Sequence, residues 1–444
     1  MPADIQWSRQ LIKRYGHAAA VCNDYPPVGP LQQDFAAIDL LRALRNGQRP
    51  LHVAVSLLPT QGALNDRYLA CLGREVELLG CHISTRQPVQ RLHLSRGAVS
   101  AEQLQRLLTL LRKRFAVHAS AFGDDSVEID PVQTDWARMG LLRQLGFNHV
   151  SIGVADACSP AAGVVVDFRD PRKTRWLIEA ARTLQFTSVN IDLGYGRAWQ
   201  SLNSFRNKLA AIIELQPGRI LLFDYAYPPQ RYRSRQRHSV REFATAHDKQ
   251  AMYQHALEQL DAAGYCYLGL GQFVLKDDPL IGARESGSLQ LNWLGYGGEA
   301  SADLLGLGVG GISQIGPLQL QNRRDLASYQ AQLANDQLAT FQGHHCTVQE
   351  QLHGALSEAL LCDLRVDLQA LEARFGELSR DYMSACQPAL AQMAADGLLQ
   401  LTPQALSILP AGRLLVGAVC KVLEQGRTEP AATRRRFGNL SVVR

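Results

Sequence analysis

A short basic stretch, Arg-Tyr-Arg-Ser-Arg-Gln-Arg-His, places four arginines within eight residues. A guanidinium group binds a carboxylate through two parallel hydrogen bonds. Arg231, Arg233 and Arg235 are therefore candidates for binding the carboxylates of a small acidic ligand. The same composition is also typical of a solvated loop. One tyrosine among these arginines is weak support for nucleic acid, so we expect no nucleic-acid partner.

The nine cysteines bear on metal chemistry, because zinc fingers and iron–sulfur clusters need closely spaced thiolates. No two of them lie within three residues of each other: they are Cys22, Cys71, Cys81, Cys158, Cys266, Cys346, Cys362, Cys386 and Cys420. Their spacing excludes both kinds of site in their usual form. We expect no disulfide framework and no metal, and interpret most of these residues as small buried apolar side chains.

Two other motifs have the composition of binding sites. His344-His345-Cys346 suggests a metal site, but adjacent side chains of an extended segment point to opposite faces, which favours a plain linker. The glycine-rich run from Gly306 to Gly311 resembles a phosphate-binding loop, yet it does not follow an early strand and open a helix. We interpret it as tight backbone beside the mouth of a barrel.

The elements that must position these residues alternate between strand and helix. Six runs rich in apolar residues predict buried parallel strands: LHVAVSLL from Leu51, QRLHLS from Gln90, SVEID from Ser126, NHVSIGV from Asn148, TSVNIDL from Thr187 and RILLFDY from Arg219. Amphipathic segments separate them. One places Leu64, Leu69, Leu72 and Val76 on one face, and another opens with Ser100 and Gln103 in capping-box spacing. The fold class is therefore α/β, a partial (β/α)6 TIM-like barrel.

The chain divides into three predicted regions. Residues 1–50 form an N-terminal arm, residues 51–345 the barrel and its extension, and residues 346–444 a C-terminal helical domain. The segment DGLLQLTPQALSILPAGRLL in the last region predicts a winged-helix-like outline. The net charge of +5 is small for 444 residues, and no run of about 18 apolar residues is present. We expect a cytoplasmic protein without a membrane span.

In this order the pieces resemble the oxygen-independent coproporphyrinogen III oxidases, radical S-adenosylmethionine enzymes of haem biosynthesis. The matching segments are IQWSRQLIKRYG, SVEIDP, LGFNHVSIGV, FTSVNIDLGYG, FDYAYPP, GYCYLGLGQF, NWLGYGGEASADLLGLGVGGIS and DGLLQLTPQALSILPAGRLL. The resemblance implies a barrel of radical-SAM type that holds a [4Fe-4S] cluster and two S-adenosylmethionines. It also implies oxidative decarboxylation of two propionates of coproporphyrinogen III. In the family, the cluster cysteines form a C-x-x-x-C-x-x-C motif just after the first strand.

The chain departs from the family where that cluster should bind. After the first strand it reads Ser56-Leu57-Leu58-Pro59, without cysteine. Leucine, serine and proline cannot replace three soft, anionic sulfur donors. The family's glycine-rich turn after the second strand retains only Gly97. Ala155 stands where the family has a glutamine, and Gly271 and Gln272 occupy a later D-H-F-like segment.

Other positions match residues that the family uses for its cofactors. By the resemblance, the candidate cofactor-binding residues are Glu128 on the third strand, Asp192 on the fifth, Ala226, Ile312, His52 and Arg169. Arg169 is the least certain in alignment, since an ungapped comparison places Asp167 there. Glu128 and Asp192 are open to a second interpretation, in which they cap a loop or pair with an arginine.

Three functions follow as alternatives. The first is a pseudoenzyme without cluster, S-adenosylmethionine or radical chemistry, which binds, chaperones or senses porphyrin or haem, or regulates a true oxidase. The second is an active coproporphyrinogen III dehydrogenase with a non-standard cluster site, for instance one that uses Cys158 and Cys22. The third is a partner-binding protein that uses its C-terminal domain and has no tetrapyrrole ligand.

Overall fold

The computed structural model describes residues 5–21, 31–33, 35, 37–58, 62–83, 87–115, 124–131, 133–154, 172–227, 243–298 and 302–426. Several residues singled out above lie outside these ranges: Cys22, Pro59, Ala155, Cys158, Asp167, Arg169, Arg231, Arg233 and Arg235. No helix among the described residues is both long and apolar enough to cross a membrane.

An N-terminal arm precedes six strand–helix units, as the alternation of patterns predicts. The arm contains α1 (Arg9–Val21), β1 (Gln32–Gln33) and α2 (Ala37–Asn46). The units are β2 (Leu51–Val55), α3 (Ala63–Gly80), β3 (Val89–Leu94), α4 (Ala101–Phe115), β4 (Ser126–Ile129), α5 (Trp136–Gln144), β5 (His149–Val154), α6 (Arg172–Thr183), β6 (Ser188–Tyr195), α7 (Leu202–Glu214), β7 (Arg219–Asp224) and α8 (Ala246–Ala262). All six predicted strands are confirmed.

Local sequence explains how two of these helices begin. The capping box of α4 is confirmed, because the Ser100 backbone N–H donates to Gln103 Oε1 at 2.8 Å and the Gln103 N–H donates to Ser100 Oγ at 3.1 Å. In α3, Leu72 and Val76 are buried as predicted, but Leu64 is 47% exposed. The first turn of α3 is held instead by Asn65, whose side-chain amide donates to the Ala98 carbonyl at 2.9 Å.

The strands are not the continuously apolar runs that the sequence suggested. In β4, Val127 and Ile129 pack in the apolar core with the helices, whereas Ser126 and Glu128 lie on the other face. The same alternation places Ser188 and Asn190 on the polar face of β6, where the Ser188 hydroxyl donates to Asn190 Oδ1 at 2.7 Å. The parallel sheet therefore has an apolar outer face under the helices and a polar inner face.

An extension adds strands to both edges of this sheet. It contains β8 (Tyr265–Gly269), β9 (Gln272–Leu275), α9 (Pro279–Glu285), β10 (Gln290–Asn292), β11 (Gly295–Gly297), β12 (Asp303–Leu307), β13 (Ile312–Ile315), β14 (Leu318–Asn322), α10 (Leu326–Ala334) and β15 (Thr340–His345). The 13-stranded sheet has the order β1-β15-β14-β13-β12-β2-β3-β4-β5-β6-β7-β9-β8. Its parallel part includes β12, which the sequence did not predict. Because β7 pairs with β9 and β12 with β2, the barrel stays partial across the described residues.

The C-terminal region has the predicted winged-helix-like outline. It contains α11 (Val348–Cys362), β16 (Arg365–Asp367), α12 (Leu368–Phe375), α13 (Glu377–Ala395), β17 (Leu399–Leu401), β18 (Ala405–Ile408) and α14 (Val416–Leu423). The three strands form a small antiparallel sheet in the order β16-β18-β17. A second apolar core joins these helices to β8, β9, α9 and the β10–β11 hairpin.

Candidate functional site

The carboxyl ends of the parallel strands form the candidate site, since barrel enzymes place their chemistry at this edge. Glu128, Ser151 and Asn190 lie side by side on β4, β5 and β6. The Asn190 side-chain amide donates to Ser151 Oγ at 3.3 Å. The register therefore creates a row of polar groups across the inner face, one from each strand.

Glu128 is the best-placed acidic group of this row. Its Oε2 accepts the backbone N–H of Arg96 at 3.3 Å, and its Oε1 lies 3.7 Å from His93 Nε2. The other ring nitrogen of His93 lies 2.9 Å from Ser126 Oγ, which fixes the orientation of the imidazole. With 17% of its side chain exposed, Glu128 can still accept a hydrogen bond from a ligand.

Asp192 lies deeper than Glu128, with 2% of the residue exposed. It occupies the middle of β6, beside Gly153 of β5 and Leu221 of β7. The structure thus places both acidic residues that the sequence singled out on neighbouring parts of the sheet. Their ligand roles remain predictions.

A second charged group lies where β6 and β7 end. Lys249 Nζ, from α8, lies 2.9 and 3.0 Å from the two carboxylate oxygens of Asp224. The backbone N–H of Ala226 donates to Asp224 Oδ1 at 2.8 Å, so this candidate residue contributes to the turn through its main chain. The guanidinium of Arg197 lies 4.4 Å from the ring centroid of Tyr225, a cation–π contact.

His52 lies at the opposite end of its strand from this edge. Its Nδ1 is 3.0 Å from the Asn292 side-chain nitrogen, and it pairs in register with Arg91. A second histidine at the amino ends, His149, hydrogen-bonds Asp124 at 3.1 Å. That hydrogen bond holds the pKa of Asp124 down to about 2, while burial lowers the pKa of His149.

The first residues after β2, Ser56 to Leu58, pack against the loop after β3. The Leu57 N–H donates to Ser95 Oγ at 2.8 Å, and the Ala98 N–H donates to the Leu58 carbonyl at 2.9 Å. Leu57 is only 8% exposed. A Cβ added to Gly97 would lie 2.2 Å from Leu57 Cβ. The glycine retained from the family's turn is therefore required here by the leucine that packs over it.

The thiols of the described residues are dispersed over other parts of the molecule. Cys71 lies in α3, Cys266 in β8, Cys362 in α11 and Cys386 in α13. Burial raises the pKa of Cys71, Cys362 and Cys386, the last to about 11, which disfavours the thiolate that a metal needs. The described residues that follow β2 and β3 include Ser56 and Ser95 but no thiol, so they do not fit a [4Fe-4S] cluster.

The glycine-rich run is tight backbone at the mouth of the barrel, as predicted. Gly308 follows β12 with φ of +88°, and its N–H donates to Glu75 Oε2 at 2.8 Å. Ile312 begins β13 directly after this turn, and a Cβ on Gly306 would lie 2.3 Å from the Ile312 carbonyl oxygen. Candidate residue Ile312 therefore lies close to the edge, next to the turn that follows β12.

Sequence reasoning missed His93, Arg197 and Lys249. The period-two pattern of QRLHLS could have placed His93 on the polar face, because its neighbours Leu92 and Leu94 are apolar. No comparable signal marks Lys249, whose partner Asp224 belongs to a different element. Arg169, Arg231, Arg233 and Arg235 lie outside the described residues, so their roles remain predictions.

Known proteins resemble this chain along nearly its whole length. The oxygen-independent coproporphyrinogen III oxidase of Pseudomonas aeruginosa is 36% identical, with 98% of this chain and 99% of the relative covered. The protein of the same name from Escherichia coli is 29% identical over 94% of each chain. The model of the HemN C-terminal domain matches residues 346–415.

A solved structure agrees with these relatives. It is described as coproporphyrinogen III oxidase (HemN) from Escherichia coli, a radical SAM enzyme. It superposes with a TM-score of 0.84 at 29% identity, covering 95% of this chain and 99% of the other. The architecture, a partial barrel of radical-SAM type with a C-terminal helical region, is confirmed.

Proposed function

The chain belongs to the family of oxygen-independent coproporphyrinogen III oxidases, and from this premise we propose that it has lost the cluster and the radical chemistry. In this proposal it is a pseudoenzyme that keeps the scaffold of a haem-biosynthesis enzyme. It acts by binding a tetrapyrrole, as a chaperone, a sensor or a regulator of a true oxidase.

The observation that carries the proposal is the packed loop after β2. Residues 56–62 contain no cysteine, and the next cysteine in the chain, Cys71, lies two turns inside α3. The Leu57 side chain packs against Gly97, and the Leu57 backbone N–H donates to the Ser95 hydroxyl. A cluster would need three thiolates and open space at this place, whereas the sequence here has no cysteine and Leu57 occupies the space beside Gly97.

The remaining polar row supports the tetrapyrrole part of the proposal. Pyrrole N–H groups are donors, and Glu128 is a partly exposed acceptor at the barrel mouth. Asp192 provides a second carboxyl group on the same inner face. Arg231, Arg233 and Arg235 would bind the propionates of such a ligand, because carboxylates suit guanidinium groups.

Anaerobic reconstitution with iron and sulfide tests the loss of the cluster. We expect less than a stoichiometric amount of [4Fe-4S] absorption and no 5′-deoxyadenosine from S-adenosylmethionine under reducing conditions. The Escherichia coli relative, treated in parallel, serves as the positive control. A stoichiometric cluster with reductive cleavage in this chain would instead support the family activity through unconventional ligands such as Cys22 and Cys158.

Titration with coproporphyrin III and with haem tests the binding part. We expect saturable binding that Glu128→Gln weakens by about 10-fold or more, because a hydrogen bond to a charged acceptor is replaced by a weaker one. Glu102→Gln, which removes the same charge from an exposed position on α4, should leave binding unchanged. No saturable binding of either tetrapyrrole would favour the partner-binding alternative.

A further inference from the structure

We propose that His344, Cys346 and Glu350 form a zinc-binding site where β15 passes into α11. One donor atom from each residue lies within 4.8 Å of both others, and this is the single such group of three or more among the described residues. The proposal is independent of any tetrapyrrole or cluster chemistry in the barrel.

The three side chains converge for local structural reasons. His344 and Cys346 are two residues apart in an extended segment, so they share a side, while His345 between them packs against Phe35 with ring centroids 5.9 Å apart. The Cys346 N–H donates to the Pro317 carbonyl at 2.8 Å, which fixes the chain just beyond β15. The adjacent histidines therefore point to opposite sides, as the sequence predicts, whereas His344 and Cys346 point to the same side.

Glu350 reaches this pair from the first turn of α11. It is the third helical residue, and its Oε2 accepts the Thr347 backbone N–H at 2.8 Å while Thr347 Oγ1 accepts the Glu350 N–H at 3.2 Å. The same Oε2 lies 2.6 Å from His344 Nε2. A capping box thus holds the carboxylate beside the imidazole before any ion arrives.

The donor set suits zinc better than other biological cations. Imidazole, thiolate and carboxylate together are typical zinc ligands, and three protein ligands leave a fourth position for water. Donors bound to one tetrahedral zinc lie roughly 3.5 Å apart. Since no two of these donor atoms lie more than 4.8 Å apart, side-chain adjustments of about 1 Å would bring them to that spacing. Glu350 can use Oε1 for the ion and keep Oε2 for the cap. Binding requires the Cys346 thiol to release its proton to solvent.

The surroundings favour a held ion over a chance surface contact. The side chains of His344 and Glu350 are 12% and 8% exposed. Water therefore screens the attraction between an ion and these ligands less than it would at an exposed surface. Strand β15 belongs to the large sheet, whereas α11 packs in the second apolar core. Zinc at this point would connect the two parts of the molecule.

Metal analysis and cobalt spectroscopy on the full chain test the site. After zinc loading and gel filtration we expect about one zinc per chain, and Cys346→Ser and His344→Ala should each weaken binding by more than about 100-fold. Cobalt should give a thiolate-to-metal charge-transfer band that Cys346→Ser abolishes. His345→Ala and Cys81→Ser, at a neighbouring imidazole and an exposed thiol, are the matched controls and should retain both signals.

Thermal unfolding separates loss of the site from loss of the fold. The site is supported if the Cys346→Ser protein melts at the same temperature as the zinc-free wild type and zinc does not raise that temperature. Glu350→Gln, which preserves the cap acceptor, should bind zinc more weakly while remaining folded. The proposal is wrong if Cys346→Ser retains one equivalent of zinc and the cobalt–thiolate band, or if the wild type binds none.

Discussion

Glu75 is a carboxyl group buried to 1% exposure in the middle of the molecule. It accepts hydrogen bonds from the Gly308 N–H, from Asn322 Nδ2 at 2.6 Å and from the Tyr329 hydroxyl at 2.8 Å. Burial disfavours its charged form and raises its pKa to about 7, against the three hydrogen bonds, which lower it. The protonation state of Glu75, a residue of α3, is therefore coupled to the glycine-rich turn after β12.

Stability should fall as the pH rises through the range where Glu75 ionises. The folded protein keeps the proton up to about pH 7, whereas the unfolded chain releases it near 4.5, so the folded state binds more protons between these values. We expect Glu75→Gln to remove up to about 3 kcal/mol of this decrease between pH 5 and pH 8, measured by urea unfolding. We expect the variant to be less stable than the wild type at low pH. The amide nitrogen that it introduces is a donor, and the groups around it are donors as well.

Glu77→Gln is the matched control, since Glu77 lies on the same helix but is 40% exposed beside Arg74. Asp125, whose pKa burial raises to about 6, contributes a slope of the same sign in every variant. The comparison is therefore between the slopes of unfolding free energy against pH, not between absolute stabilities. Equal slopes for wild type and Glu75→Gln would contradict the assignment.

At the scale of elements, the loops after β2 and β3 act as one packed unit. Gly97 has an ordinary backbone conformation, and the three atoms nearest to an added Cβ all belong to Leu57. We expect Gly97→Ala to cost about 1–3 kcal/mol of unfolding free energy, because the new methyl group would overlap Leu57 Cβ. Chemical unfolding measures the loss.

A double-mutant cycle identifies the contact. Leu57→Ala retains the Cβ that causes the overlap, whereas Leu57→Gly removes it. Gly97→Ala should therefore still lower the unfolding free energy in the Leu57→Ala background, and should lower it much less in the Leu57→Gly background. The same cost in both backgrounds would show that the two loops do not meet as described.

The strands and most helices were predictable because their signals are local. The apolar run at Leu51 and the Ser100–Gln103 spacing each specify an element without reference to the rest of the chain. Strand β12 was missed, since its short glycine-containing run becomes a parallel strand only by pairing with β2, far away in sequence. Long-range pairing leaves no periodic signal of its own.

The candidate site was predictable only in part for the same reason. Glu128 stands out within its own strand, but its neighbour His93 becomes relevant only when β3 lies beside β4. Asp224 and Lys249 come from a strand and a helix with residues 228–242 between them. The loss of clustered thiols, in contrast, is a feature of spacing that the sequence displays directly.

At the scale of the whole molecule, the N-terminal arm and the C-terminal region are joined. The Tyr15 hydroxyl donates to Asp396 at 2.5 Å, Arg14 pairs with the same carboxylate at 2.9 Å, and the Gln6 N–H donates to the Pro410 carbonyl at 3.0 Å. Arg413 donates to the Tyr267 carbonyl at 2.9 Å, which ties the C-terminal region to β8. Contacts therefore cross the predicted boundary at residue 345 from two directions.

A chain that ends at residue 345 should fail to fold into a stable monomer. Truncation there would expose the apolar side chains of Leu268, Val274, Leu280 and Leu291, which share one core with α11, α13 and α14. We expect aggregation or early, broad thermal unfolding, whereas a chain that ends at Gly426 retains all the described contacts and should melt in one cooperative transition. Circular dichroism and size-exclusion chromatography distinguish the two. A soluble, cooperatively melting 1–345 fragment would contradict this prediction, because it would show that the fragment folds without the C-terminal residues that supply most of the buried side chains of this core.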